Sequence, residues 1–203
     1  MHDTNQIPTL ASSLQRILAA AMFAAERHAG QKRKGLAGEP YINHLIEVAE
    51  LVASSSETLD TNLIVAALLH DTVEDTTTTI DELEERFGDD VANLVAELTD
   101  DKSLRKATRK ALQVQNAPHK SERAAMIKLA DKISNLRAII TSPPVDWSVL
   151  RKWGYLAWSK QVVDGLRAHN AALKAEFDKT FAKFHEAVRE NVNEFTHSDR
   201  IEP

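Results

Sequence analysis

Residues 63–69, Leu-Ile-Val-Ala-Ala-Leu-Leu, are apolar all round a helical turn, and His70-Asp71-Thr72-Val73-Glu74-Asp75 follows at once. A helix with no polar face belongs at the centre of a domain. The ionisable groups at its end then lie where charge is costly unless it is paired or bound to a metal. Glu74 falls one turn beyond His70, and Asp75 one turn beyond Asp71. Carboxylates stacked so closely repel unless a cation or a shared proton lies between them. The ordinary alternative is that a His-Asp pair is a surface charge or a helix cap. This pair carries more weight because it closes a buried helix and has two acids behind it.

The rest of the chain predicts more helix around that centre. Leu10, Leu14, Ile17, Leu18, Ala21, Met22 and Ala25 recur at helical spacing and would share one face. Residues 31–40 are basic and then Gly- and Pro-rich, a loop or short ribbon before a helix that carries Ile42, Leu45, Val48, Ala49 and Val52 inward. Asp60 or Thr61 caps the central helix, Thr79-Ile80-Asp81-Glu82 has the form of a capping box, and Gly88 is a stop. Helices are predicted over residues 89–98, 103–116 and 121–140, with one or two more from Trp147 through Phe184 and beyond. With 203 residues, no repeat and no long linker, the expectation is one helical domain with short tails at about 1–9 and 195–203.

Composition removes several function classes. The chain has no cysteine, which excludes disulfides, thiolate zinc sites and cysteine nucleophiles. No apolar run approaches the ~20 residues that span a bilayer, and residues 1–9 lack the pattern of a signal peptide. A cytoplasmic protein with no membrane contact is the expectation. A net charge of −5 argues against a dedicated nucleic-acid binder, though not against a local basic pocket.

A divalent metal is the simplest resolution for the charged cluster. Imidazole with carboxylate suits manganese, iron, nickel or zinc, and the hard oxygen share leans towards manganese. His70 and Asp71 give two ligands, and His44 and Asp131 are the best candidates for the others. Asp131 interrupts an apolar stretch of Met126, Ile127, Leu129 and Ile133, and Asn135 lies one turn on. Lys102, Arg105, Lys106, Arg109 and Lys110 recur in three- and four-residue steps, and Arg33-Lys34 forms a second basic cluster. Each by itself is ordinarily a solvated surface; beside a metal, two of them suit a substrate with several phosphates. Tyr41 and Tyr155 are placed to stack on a base or simply to pack.

Gly30-Gln31-Lys32-Arg33-Lys34, Gly38-Glu39-Pro40-Tyr41-Ile42-Asn43-His44, the segment from Ala66 to Asp75, and Lys128-Leu129-Ala130-Asp131-Lys132-Ile133-Ser134-Asn135-Leu136-Arg137 together resemble the hydrolase domain of RelA/SpoT-type enzymes. Leu98-Thr99-Asp100-Asp101-Lys102 and residues 112–119 are similar to its stand-alone form, the small alarmone hydrolases that include the metazoan SpoT homologue. The resemblance runs from roughly residue 20 to 175.

It implies an all-α HD-domain bundle, with room for a short β-hairpin near residues 33–41. It implies a manganese-dependent pyrophosphohydrolase that removes the 3′-diphosphate of guanosine tetra- or pentaphosphate. By position, His44, His70, Asp71 and Asp131 match the metal ligands, and Glu74 and Asp75 the pair that activates the attacking water. Arg33, Lys34, Lys106, Asn135, Arg151 and Tyr155 fall where the family contacts the nucleotide, and Tyr41 joins them as a substrate-side candidate. Two positions depart from the pattern. Leu45 follows His44 where proline is usual, and Ser134 stands where a histidine or aromatic residue is common. The length leaves no room for the synthetase domain of the bifunctional relatives, so degradation rather than synthesis is expected. Competing readings are the same chemistry on an adenosine alarmone or on the 2′-phosphate of NADPH, and a catalytically silent nucleotide sensor. The intact Glu74-Asp75 pair argues against the sensor. A nucleic-acid-binding module is disfavoured by the charge.

Overall fold

The computed structural model describes residues 9–198, so the expected tails at 1–9 and 195–203 fall mostly outside the described residues. Thr9 caps the first helix, and 195–198 continue the last one. The helices are α1 (Leu10–Arg27), α2 (Ile42–Ser55), α3 (Thr61–Leu69), α4 (Thr72–Asp75), α5 (Ile80–Phe87), α6 (Asp89–Leu98), α7 (Lys106–Asn116), α8 (Glu122–Thr141), α9 (Val149–Gly165) and α10 (Ala171–Ser198). Among the described residues there is no strand, and no helix is long and apolar enough to cross a membrane. The ribbon expected near 33–41 reduces to one antiparallel bridge between Lys32 and Pro40. Hydrogen bonds from Arg33 N to Glu39 O (2.8 Å) and from Tyr41 N to Gln31 O (3.0 Å) flank it. Proline has no N–H to extend such a ladder.

α3 is the buried axis that its sequence requires, with Leu63 through Leu69 all inside. Asp60 starts it by accepting from Leu63 N at 3.0 Å. α1, α2 and α6 pack around it, while α8 lies against α2 and α10. The buried apolar side chains of these helices join in one continuous core. Arg123, in the first turn of α8, pairs with Asp60 at 2.9 Å and Asp90 at 2.8 Å, tying three helix starts together.

Three expectations need correction. The stripe Leu10, Leu14, Leu18 and Met22 faces outward, 52–68% exposed. α1 instead buries Ser13, Ala20, Phe23 and Ala24, whose small members let it sit close to α3. The helix predicted from residue 103 begins at Lys106, because Asp101 holds Ser103 N at 2.9 Å in a turn ahead of it. The capping box is half formed: Thr79 Oγ1 accepts from Glu82 N at 3.1 Å, but the Glu82 carboxylate is taken by Arg27 and Arg86.

Candidate active site

Four side chains from three parts of the chain converge at the inner end of α3. His70 is the residue after α3, Asp71 precedes the single turn of α4, His44 lies in the first turn of α2, and Asp131 is mid-way along α8. An aspartate at a helix start ordinarily caps the backbone. Asp71 makes no such bond. Its Oδ2 lies 3.2 Å from His70 Nε2 and 3.4 Å from His44 Nε2, and it accepts from the Tyr41 hydroxyl at 2.6 Å. Asp131 Oδ1 is 3.5 Å from His44 Nε2. One ligand atom each from His44, His70 and Asp131 lies within 4.8 Å of the others.

The residues fit a metal on two counts. Both imidazoles are turned with Nε2 inward, His70 Nδ1 being 2.8 Å from Ala67 O and His44 Nδ1 2.8 Å from Ser134 Oγ. A nitrogen bonded to a carbonyl oxygen carries the hydrogen, which leaves the other as a lone pair. His70 Nε2, moreover, is buried with no partner of hydrogen-bonding geometry among the described residues. An orphaned imidazole nitrogen between carboxylates is costly by itself and natural around a divalent cation.

Burial would raise the Asp71 carboxyl, but the His70 and His44 imidazoles beside it hold it well below the carboxylate range. Burial also opposes ionisation of Asp131, and Lys132, His44 and Lys128 outweigh it, again leaving a firm anion. His70 is moved the other way: burial disfavours its cation, yet Asp71 and Asp131 raise it to about 8. Protons and a metal would therefore compete for the same nitrogen.

Glu74 and Asp75, on α4, stand beside this cluster on the wall of a cavity of about 390 Å³. Glu74 accepts from Arg109 at 3.3 Å and from Asp100 N at 3.4 Å. Burial raises its pKa, and the charges of Asp71 and Asp100 add to that. Such a shift moves a carboxylate towards useful basicity near neutral pH. Asp75 accepts from Tyr41 at 3.3 Å and pairs with Lys102.

All seven substrate-side candidates border the same cavity: Arg33, Lys34, Tyr41, Lys106, Asn135, Arg151 and Tyr155. Three of them are already engaged in the floor. Arg33 donates to Asn135 at 3.1 Å, and Asn135 donates in turn to Asp131. Tyr41 holds Asp71 and stacks on His28, ring centroids 5.0 Å apart. Lys34, Lys106 and Arg151 form the open cationic side. Burial lowers Lys106, and the nearby charges of Arg151, Lys34 and Arg109 lower it further. Beside Lys34, Gly35 lies against Ser142: a Cβ there would come within 2.2 Å of Ser142 O. Tyr155 stands in a row of rings, 5.4 Å from both Trp147 and Trp158.

Sequence reasoning placed Lys110 only within the basic stripe and gave no role to Lys128, Lys132 and Trp158; all four line the cavity. Lys132 Nζ bonds Asp131 at 3.0 Å, and the Lys110 and Lys132 ammoniums sit 4.3 and 4.4 Å from the centre of the Trp158 ring. The signal was available: Lys128 and Lys132 flank Asp131 inside an apolar helix, and Trp158 is one turn after Tyr155. Of the basic stripe, Lys106, Arg109 and Lys110 reach the cavity. Lys102 is spent on Asp75, and Arg105 points away into solvent.

The HD domain model matches residues 20–152. Guanosine-3′,5′-bis(diphosphate) 3′-pyrophosphohydrolase MESH1 from Xenopus tropicalis is 48% identical over 172 residues, 85% of this chain and 96% of that protein. The Homo sapiens protein of the same name is 47% identical, with the same shares covered. A solved structure described as "A metazoan ortholog of SpoT hydrolyzes ppGpp and plays a role in starvation responses" superposes with a TM-score of 0.80. It shares 41% identity and covers 88% of this chain and 97% of its own.

Proposed function

Because the chain belongs to the HD-domain family, and within it to the group of the MESH1 3′-pyrophosphohydrolases, we propose that it hydrolyses ppGpp and pppGpp to GDP or GTP and diphosphate. The observation that carries this reading is a single cavity with two unlike walls. Asp71 and Asp131, backed by the buried His44 and His70, form one with the acid pair, and lysines, arginines and aromatic rings the other. A polyphosphorylated nucleoside needs both.

His44, His70, Asp71 and Asp131 are assigned as the ligands of a divalent cation, with manganese the choice for two imidazoles and two carboxylates. When bound, such a cation polarises a phosphoryl oxygen and makes water easier to deprotonate. Glu74 takes the proton of the attacking water, its basicity raised by burial and by Asp71. Asp75, fixed by Tyr41 and Lys102, orients that water. Lys34, Lys106 and Arg151 hold the phosphates and offset charge on the departing diphosphate. Tyr155, with Trp147 and Trp158 beside it, offers a face for the base.

The test is direct. Purified protein with Mn2+ is incubated with ppGpp, an adenosine 3′-diphosphate analogue and NADPH, and products are separated by anion exchange. Diphosphate release from ppGpp at a higher kcat/KM than any reaction of the other two is expected. Metal-loaded protein that leaves ppGpp intact defeats the assignment.

A further inference from the structure

The two imidazoles of the cluster are held by different means. His70 Nδ1 meets a backbone carbonyl, Ala67 O, at 2.8 Å, which no side-chain substitution removes. His44 Nδ1 meets a side chain, Ser134 Oγ, at 2.8 Å. Ser134 is fully buried on α8, and its hydroxyl donates to Glu47 Oε2 at 2.6 Å. Glu47 lies on α2, three residues after His44. Its other oxygen accepts from Arg137 at 2.9 Å, and Arg137 reaches on to Glu176 of α10 at 2.8 Å.

The direction of this run follows from what each group can donate. A carboxylate only accepts, so the single Ser134 hydrogen is committed to Glu47. Ser134 then has only lone pairs to offer His44, and Nδ1 must carry the ring hydrogen. The lone pair is left on Nε2, which faces Asp71 at 3.4 Å and Asp131 at 3.5 Å.

From the Glu47–Ser134–His44 chain of hydrogen bonds we infer that Glu47 and Ser134 are positioning residues, which fix the tautomer and ring orientation of a metal-binding histidine. The inference rests on the metal reading above and adds residues to it. It also gives Ser134 a purpose: its hydroxyl bridges the His44 imidazole and the Glu47 carboxylate. Arg137 neutralises the carboxylate and pins it, so the relay is anchored to α10.

The experiment measures Mn2+ binding by calorimetry on the full chain without nucleotide, for the wild type, Ser134→Ala, Glu47→Gln, the double variant and Ser134→Thr. Loss of a group that orients a metal-binding histidine typically weakens the metal about ten- to a hundredfold, and that is expected for Ser134→Ala. Glu47→Gln is expected to weaken it as well, because an amide can donate to Ser134 and reverse the run, which moves the ring hydrogen to Nε2. It is near-isosteric and half-exposed, so it reports even if the buried serine variant folds poorly. The relay acts in series, so the double variant should bind no more weakly than Ser134→Ala alone. Ser134→Thr, which keeps the hydroxyl, should recover most of the affinity. Unchanged Mn2+ affinity in Glu47→Gln and Ser134→Ala, whatever their melting temperatures, overturns the inference, and so do losses that simply add. Failure of the wild type to bind Mn2+ would instead remove the metal reading beneath it.

Discussion

The floor and the rim of the cavity are built on opposite principles. On the floor, His44, His70 and Asp131 are buried, sit on or at the ends of helices, and are each held by at least one further group. On the rim, Lys34 and Arg151 come from a loop and a helix start. The Arg151 guanidinium lies 4.6 Å from the Trp147 ring, and its ion pair to Asp146 (3.2 Å) is largely exposed. Reacting groups must be placed to within fractions of an ångström before substrate arrives. Groups that recognise phosphate can stay mobile, since charge acts at longer range and through water. Damage to the floor should therefore destroy the chemistry, while damage to the rim should weaken binding in graded, salt-sensitive steps.

The largest effect is expected at Asp71, the residue that bridges both imidazoles and Tyr41. Asp71→Ala should abolish Mn2+ binding in a calorimetric titration. Turnover should fall on the order of a thousandfold or more, the loss of several kcal/mol of charge stabilisation. Wild-type-like metal affinity in this variant would dissolve the contrast between floor and rim. Next comes Glu74→Ala, which removes the proposed base but no assigned ligand. It should keep Mn2+ affinity while kcat drops roughly a hundred- to ten-thousandfold. Full activity would transfer the role to Asp75.

The two regions also differed in how readable they were. The floor was legible because its residues break a pattern: His70 and Asp71 end an apolar run, and Asp131 interrupts another. Burial of charge leaves a mark in sequence. The rim was only half legible, since a lysine on a solvated face and a lysine on a cavity wall look alike until the helices are placed. Lys106 and Arg109 turn inward, and Arg105 does not. The same limit explains α1. Its Leu10, Leu14, Leu18 and Met22 stripe is real, but periodicity cannot say which face a neighbour covers, and the alanine face won. The pairing of Glu47 with Ser134 was invisible for another reason: the two are 87 positions apart and meet only because α2 packs on α8.

Acidity sharpens the comparison further. His70 gains its proton more readily in the folded, metal-free protein, its pKa raised from 6.5 to about 8 by Asp71 and Asp131 against the cost of burial. A raised folded pKa contributes stability that is complete below the unfolded value and is lost as pH climbs through about 8. Metal binding requires the deprotonated ring, so it runs in the opposite sense. Between pH 8 and 6.5, Mn2+ affinity should fall by up to about tenfold per pH unit, while the melting temperature of the metal-free protein rises or holds. Parallel titrations on one protein stock read both signs. If the two curves move together, His70 is not the shared site of proton and metal.

The smallest effect is expected on the rim. Lys106 is largely exposed, and burial together with Arg151, Lys34 and Arg109 already depresses its pKa. Removing one of several cations leaves the others to bind the same phosphates. Lys106→Ala should cost about 1 kcal/mol, roughly fivefold in kcat/KM for ppGpp, with most of the change in KM. Screening by salt should weaken substrate binding in the wild type more than in the variant, so the gap between them narrows as ionic strength rises. Mn2+ affinity should not move, because the assigned ligands belong to the cavity floor and Lys106 makes no hydrogen bond or ion pair with any of them. Should Lys106→Ala lower kcat as severely as Glu74→Ala, at every salt concentration, Lys106 would belong with the reacting groups, and the division between a fixed floor and a forgiving rim would have to be redrawn.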